Sequence, residues 1–579
     1  MLTIRETFRL LFPDASRELS SFSEPPVLPA DIFAFAAFVL EASGAYHHVV
    51  PDTGEQGPER QIVVDANVRA RAVSTGRAWR QSSVSPGSLP KVPQHVHELW
   101  RQLAPVSREP VFQALSPHAD IPGWWWTVLE LLMIADETSR DLGFDPKNVF
   151  YQPIAEAFTE GDVISGREFR RIQRAPATVS TADPSVLCVL PKSRTPSVGC
   201  TMRSLSHHLA LLPGQGAVRA RWVMSPFGTS ERRPHGLGLL LVPFPYQIVP
   251  EAFVGIGDHD GKWGCFDVDQ TWLPKHSETE RRRVFVDFVR NLIQKARAAD
   301  KQIDGVVLPE LSLDFPLFRQ LARALAEEKV DFLISGLSSD REGRRGNFVA
   351  IAPFFLFESS DKITGSGLEQ VFLIREKHHR WKITEPQIKA YGIDSALSIT
   401  RNWWEHLNIL GRSLDLFVYR GGTSLTTLIC EDLARVDPCQ AVLRSVGPNL
   451  VIALLMDGPQ LEGRWPARYA TVLAEDPGSS VLTFTSLGLI ERQNASKAFP
   501  QSSSVALWKD EANGVRRLEL PRNADAIYLA LTADQKTEHT LDGRSDDAYS
   551  HRWVYADHMG IAADPQAKPS WLLSARVDQ

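Results

Sequence analysis

Cysteine is scarce in this 579-residue chain, with five residues at positions 188, 200, 265, 430 and 439. An odd, scattered set provides neither a disulfide framework nor a CxxC pair for a metal, and it points to a reducing compartment. Excess charge of one sign is also missing. The 63 Lys and Arg residues stand against 69 Asp and Glu, a net charge of −6, which argues against nucleic acid as the main partner. No apolar run approaches the ~20 residues that a bilayer requires, because the longest candidate, residues 32–40, stops at Glu41. The N-terminal residues interleave Arg5, Glu6 and Arg9 with apolar ones and so lack the core of a secretory signal. A cytoplasmic protein with no membrane partner is expected. No P-loop is present, and Gly255-x-Gly257 does not continue into a dinucleotide-binding fingerprint. The adjacent pairs His47-His48, His207-His208 and His378-His379 diverge in direction, so no metal is expected.

Apolar residues make up 43% of the chain and charged residues 23%, a globular composition over a length that predicts two or three domains. Residues 1–180 show apolar positions at three-to-four spacing and predict a mostly helical domain. Its Trp124-Trp125-Trp126 cluster reads as core, since three successive helical residues point in three directions. Residues 181–235 read as a β-containing connecting segment. From residue 236 helices and strands alternate to about residue 540, which predicts an α/β sheet covered by helices. Residues 541–579 are polar and acidic and read as a tail or partner-contacting arm.

Within the α/β region, three apolar strands each stop at a chemically useful side chain. The run 425–429 leads into Cys430 and then Glu431-Asp432; the run 305–308 leads into Pro309-Glu310; and the run 370–376 leads into Lys377. Alone, Cys430 reads as a small buried hydrophobe, Glu310 as a helix cap and Lys377 as a surface strand terminus. Together they are the parts that cleavage of a C–N bond needs. The thiol of Cys430 is the nucleophile, and the Glu310 carboxylate is the base that takes its proton and passes it to the departing amine. The Lys377 ammonium and the backbone N–H of Glu431 stabilise the oxyanion.

This ordered pattern, with the Pro309-Glu310 and Ile429-Cys430-Glu431-Asp432 turns, resembles the nitrilase superfamily of carbon–nitrogen hydrolases over residues 236 to about 531. The resemblance implies a four-layer α-β-β-α sandwich and the same Glu-Lys-Cys assignment. It also implies a thioester mechanism needing no cofactor or metal, a small amide or nitrile substrate and a homo-oligomer. By resemblance, Glu385, eight positions after Lys377, is assigned as the second glutamate that positions substrate. The 53 residues from Lys377 to Cys430 form a longer interval than the family pattern suggests, and residues 399–410, with Trp403-Trp404, are predicted to be helical. An alternative of another class is a nitrilase-like sensor or scaffold module of a larger system, for example one in bacterial defence.

Overall fold

The computed structural model describes residues 2–571 apart from 55–59, 83–89, 114, 116–119, 145–177, 196–198, 200, 215–217, 224–234, 258–260, 276, 355–367, 370, 421 and 570. Cys200 therefore lies outside the described residues.

The N-terminal part is built on helices Ile4–Leu11, Pro29–Ser43, Ala66–Gln81, Gln94–Val106 and Trp124–Thr138. A short parallel pair, β1 (Val49–Pro51) and β2 (Ile62–Val64), joins them. Thr3 and Glu6 close a capping box on the first helix, satisfying backbone N–H groups that have no intrahelical partner. Trp124 and Trp125 are buried in this region's own apolar core, as their spacing predicts. The hairpin of β3 (Leu187–Pro191) and β4 (Leu209–Pro213) follows. Its alternating side chains serve two cores: Leu187, Val189 and Leu209 join the helical one, while Cys188, Leu190, Ala210 and Leu212 join the next. Period-two alternation of a strand makes that division possible.

The rest of the chain is an α/β sandwich. One sheet takes the order Leu373–Glu376, Arg345–Pro353, Phe332–Ser339, Gly305–Val307, Gly236–Leu241, Ala526–Lys536, Ser550–Ile561; numbered along the chain these are β12, β11, β10, β9, β6, β21 and β22. The other takes the order Gly514–Glu519, Ser504–Asp510, Ser480–Thr485, Leu450–Leu455, Thr423–Ile429, Ser413–Tyr419, Arg219–Val223, or β20, β19, β18, β17, β16, β15 and β5. Each sheet has a parallel centre with antiparallel strands beside it. The sheets face each other through a single apolar core. Every residue of β17 is buried, the mark of a central parallel strand covered on both faces. Helix Thr279–Ala298 buries Phe285, Phe288, Val289, Leu292, Ile293 and Ala296 at helical spacing, and it packs with Phe315–Glu327 outside the first sheet. Helix Trp465–Glu475 covers the second. The expected four-layer α-β-β-α arrangement is present. Among the described residues, no helix is long and apolar enough to cross a membrane.

Three expectations require correction. Residues 541–579 are not simply a tail: β22 pairs with β21 along its length and completes a sheet. The charged residues that suggested a tail lie in the turn before β22, where Asp542, Arg544 and Asp546 are buried and hydrogen-bonded while Asp547 is exposed and paired with Arg140. Residues 181–235 are more than a connection, since β5 extends the second sheet beside β15. Residues 399–410 contain no helix; Asn402–Glu405 is a strand, β14, paired with β13 (Lys382–Ile383) and β8 (Trp263–Val268). With β7 (Phe253–Ile256), these strands form a separate four-stranded sheet.

The turn before β22 also pins the N-terminal helices to the sandwich. Arg544 is fully buried and bonds Asp136 and Glu137 at 3.1 Å each, Asp542 at 3.0 Å and the Leu205 carbonyl at 2.7 Å. Asp136 in turn accepts the backbone N–H groups of His207, His208 and Leu209. Removing one partner of such a buried cluster strands the others. Arg544→Met is therefore expected to lower unfolding stability by about 3–5 kcal/mol, measured by denaturant titration; a loss below about 1 kcal/mol would show that the cluster does not hold the two parts together.

Candidate active site

The loops leaving β9, β12 and β16 converge at one end of the sandwich. Glu310 follows β9 in a turn whose next residue, Leu311, has φ 56°. The turn lies so close to β10 that a Cβ on Gly336 would sit 2.4 Å from the Glu310 Cα, and only glycine allows that approach. Lys377 follows β12 and Cys430 ends β16. Cys430 has φ 44° and ψ −107°, a strained conformation for a residue with a side chain, and it caps the short helix Glu431–Ala434. Its N–H donates to the Leu454 carbonyl at 2.9 Å. The first N–H groups of that helix, beginning with Glu431, have no intrahelical acceptor.

The Lys377 ammonium lies 2.8 Å from Glu310 Oε1 and 2.7 Å from Glu405 Oε2. Asn347 on β11 donates to both carboxylates, at 2.7 Å each, and the Trp381 N–H donates to Glu405 at 2.9 Å. Two carboxylates, one ammonium and one amide thus share a nearly dry compartment in which Lys377 is 0% and Glu310 3% exposed. A third carboxylate, Asp432, clamps the approach to it. Buried beside Cys430, it accepts the N–H groups of His378 at 3.0 Å and His379 at 3.1 Å, fastening the chain after Lys377 to the cysteine turn.

Burial sets the protonation states. It pushes the Cys430 thiol well above its ordinary range, the negative charge of Glu310 adds to that, and Lys377 opposes it; the resting sulfur is a thiol. Burial likewise raises Glu310, against the pull of Lys377 and with a further push from Glu405. For Lys377, burial alone would lower the ammonium, but the two carboxylates outweigh it and hold the group well above its usual value. Glu310 Oε2 has no hydrogen-bond partner among the described residues, leaving one oxygen of the carboxylate free to receive a proton. Cys439, the other buried cysteine of this region, is pushed up to about 12 by burial and by Asp432. Its sulfur lies 3.2 Å from His378 Nδ1, away from the cluster.

Of the residues picked out in the sequence, the structure pairs Glu310 with Lys377 and sets Cys430 within electrostatic reach of both. It does not bring Glu385 there. Glu385 opens helix Glu385–Tyr391 with its side chain 54% exposed and paired to Lys389 at 2.6 Å, a one-turn surface ion pair. The second carboxylate on Lys377 belongs to Glu405, at the end of β14. Sequence reasoning missed it although the signal was of the kind already in use: Asn402-Trp403-Trp404-Glu405 is a short strand that stops at a charge. Asn347 carried no signal of its own, whereas Asp432 closes the Ile429-Cys430-Glu431-Asp432 turn already picked out.

A cavity of about 420 Å³ reaches Asn347 and Glu405, with Leu311, Ser338, Phe348 and Leu407 among its walls, a size suited to a small molecule. One group of described residues has the spacing of metal ligands, Asp136, Glu137 and His208, with donor atoms within 4.8 Å of one another. The Arg544 guanidinium already supplies the cation for both carboxylates.

No family model and no curated protein matches the chain. Among solved structures it is similar to a glutamine-dependent NAD+ synthetase from Acinetobacter baumannii, at 13% identity and a TM-score of 0.30, over 57% of this chain and 49% of that one. The chain thus spans about half the length of that synthetase. It is also similar to a nitrilase-superfamily amidase from Nesterenkonia (12%, TM-score 0.30, 52% of this chain and 91% of that one) and to a carbon–nitrogen hydrolase from Helicobacter pylori (12%, TM-score 0.27, 51% and 89%). These are members of the superfamily that the sequence resembles. Superpositions this loose decide neither activity nor substrate, so the chemistry rests on the side chains described above.

Replacing the ammonium tests the electrostatics directly. Lys377→Met leaves two carboxylates buried together, and about 3–5 kcal/mol of stability should be lost at neutral pH. In that variant Glu310, already raised by burial, loses the charge that pulled it down, so stability falls as pH rises and returns as pH drops toward the ordinary carboxylate range. Denaturant titrations between pH 5 and 8 should show the deficit shrinking on acidification; a deficit independent of pH would contradict the arrangement.

Proposed function

We propose that this protein is a cysteine-dependent hydrolase of a small, non-peptide amide or related C–N bond, with Cys430 as nucleophile, Glu310 as general base and acid, and Lys377 as oxyanion stabiliser. One observation carries the proposal: a fully buried ammonium bridges two carboxylates within the electrostatic field of a strained, buried cysteine. Glu310 takes the thiol proton through its free oxygen while the sulfur forms a bond to the carbonyl carbon. That transfer neutralises one carboxylate and creates one thiolate, so the net charge of the compartment does not change, and a transfer that adds no buried charge avoids the main cost of making one. The oxyanion forms against Lys377 and the Glu431 N–H. Collapse breaks the C–N bond, the amine leaves with the proton from Glu310, and a thioester remains. Water, deprotonated by Glu310, then attacks the thioester, releasing the acid and restoring the thiol.

Glu405 takes the place in this scheme that resemblance gave to Glu385. It holds Lys377 protonated and in position, and it lines the cavity beside Asn347.

Ammonia release from a panel of simple carboxamides tests the assignment. Cys430→Ala should abolish turnover, and Glu405→Gln should reduce it by about 100-fold or more, in the range expected for acid–base and electrostatic groups. Glu385→Gln should stay within about twofold of the parent, as expected for an exposed surface pair. Equal losses from the two glutamate variants, or full activity without Cys430, would overturn the proposal. For an active substrate, kcat/KM should rise with pH through one ionisation above the ordinary glutamate value of ~4.3, because Glu310 is raised and acts only when deprotonated; a flat profile from pH 4 to 8 would remove Glu310 from the role.

A further inference from the structure

Two edge strands, β12 of one sheet and β5 of the other, border a groove of about 1200 Å³ lined by seven arginines and three carboxylates. In a chain of net charge −6, this is a local reversal of sign. Arg219 on β5 is exposed, and its side chain has no hydrogen-bond or ion-pair partner among the described residues. Arg380 is exposed as well and spends one nitrogen on the Leu407 carbonyl at 2.6 Å, while Arg412, among the described residues, pairs with the exposed Asp437 at 3.3 Å. Each keeps N–H donors for something else. Charges on exposed edge strands guard against edge-to-edge pairing, and that would account for Arg219 alone. It does not account for Arg375 on β12, which is 4% exposed, bonds the Thr427 carbonyl and pairs with Asp432 at 3.7 Å, yet has a buried Nε without a partner among the described residues. A buried donor left open below a cationic groove is costly unless something is meant to meet it.

We propose that this groove binds a small phosphate-bearing polyanion, its oxygens met by the planar forks of the arginines. Two features favour a small ligand over a nucleic-acid strand. The rings lining the groove, Phe348 and Phe372, are 4% and 1% exposed, so no platform is available for bases to stack on. The volume is also that of a compartment for a nucleotide-sized molecule rather than an extended track. Arg344, Phe348, Glu376 and Leu410 line both this groove and the cavity at Asn347 and Glu405, so the ligand lies beside the candidate active site. The assignment is independent of the hydrolase proposal and stands if that proposal fails.

Calorimetric titration of the full chain with sodium tripolyphosphate tests it. Saturable one-to-one binding that weakens as salt is added is expected for the parent. Arg219→Ala with Arg412→Ala should weaken it by about tenfold or more, and Arg380→Ala, a single change at an exposed residue, should weaken it in the same direction. Arg281→Ala with Arg283→Ala, which removes exposed arginines paired to Glu278 and Glu280 on a helix, should bind as the parent does. Absence of saturable binding to the parent, or equal weakening by the two double variants, would overturn the proposal. So would displacement of tripolyphosphate by lower concentrations of a short single-stranded oligonucleotide, which would reassign the groove to nucleic acid.

Discussion

One buried ammonium, that of Lys377 between Glu310 and Glu405, sets the terms for the rest of the sandwich. Charges removed from water are tolerated only in near-ideal geometry with their remaining hydrogen-bonding capacity filled. Here that geometry requires three separated segments to arrive together: the turn after β9, the end of β12 and the end of β14. Asn347 bridges the two carboxylates, and Asp432 fixes the backbone after Lys377 to the cysteine turn. The strained backbone at Cys430 persists because the surrounding network leaves the turn little alternative.

The long interval between Lys377 and Cys430 belongs to this network. Its strands β13 and β14 join β7 and β8 in a small sheet with an apolar cluster of its own. That cluster includes Phe253, Phe266, Trp381 and Trp403 and reaches Leu311, beside Glu310, and Met456, near the end of β17. The segment therefore covers the end of the sandwich that holds Glu310 and Lys377 and delivers Glu405 to it. A cover of this kind also explains the protonation states. It adds to the burial around Glu310 and Lys377 and strengthens the charge interactions beneath it.

Much of this was legible in the sequence because central strands declare themselves. Runs such as Leu450–Leu455 are apolar throughout, and the side chain that ends each run lies at the sheet's rim, where Glu310, Lys377 and Cys430 are found. The alternation of such runs with amphipathic helices predicted an α/β sheet covered by helices, and the family resemblance supplied the four layers. What the sequence hid was set by tertiary context. Trp403-Trp404 suggested helix, but one ring packs into the cap's core while the other is partly exposed, the two-faced pattern of a strand. Glu385 was assigned by its place after Lys377, yet Pro386 and the Thr384 capping box start a surface helix there. The acidic turn around Asp542 looked like a tail because nothing local reveals that Arg544 will be buried against a helix some four hundred residues earlier.

The central claim is that Cys430 becomes covalently acylated. It is tested most directly by acid-quenching the protein during turnover of an active carboxamide and locating the adduct by peptide mass spectrometry. The account predicts an acyl mass increase on the peptide containing Cys430, removed by hydroxylamine as a thioester is, and none on the peptides containing Cys265 or Cys439. Turnover without any adduct at Cys430, or an adduct confined to another cysteine, would contradict it.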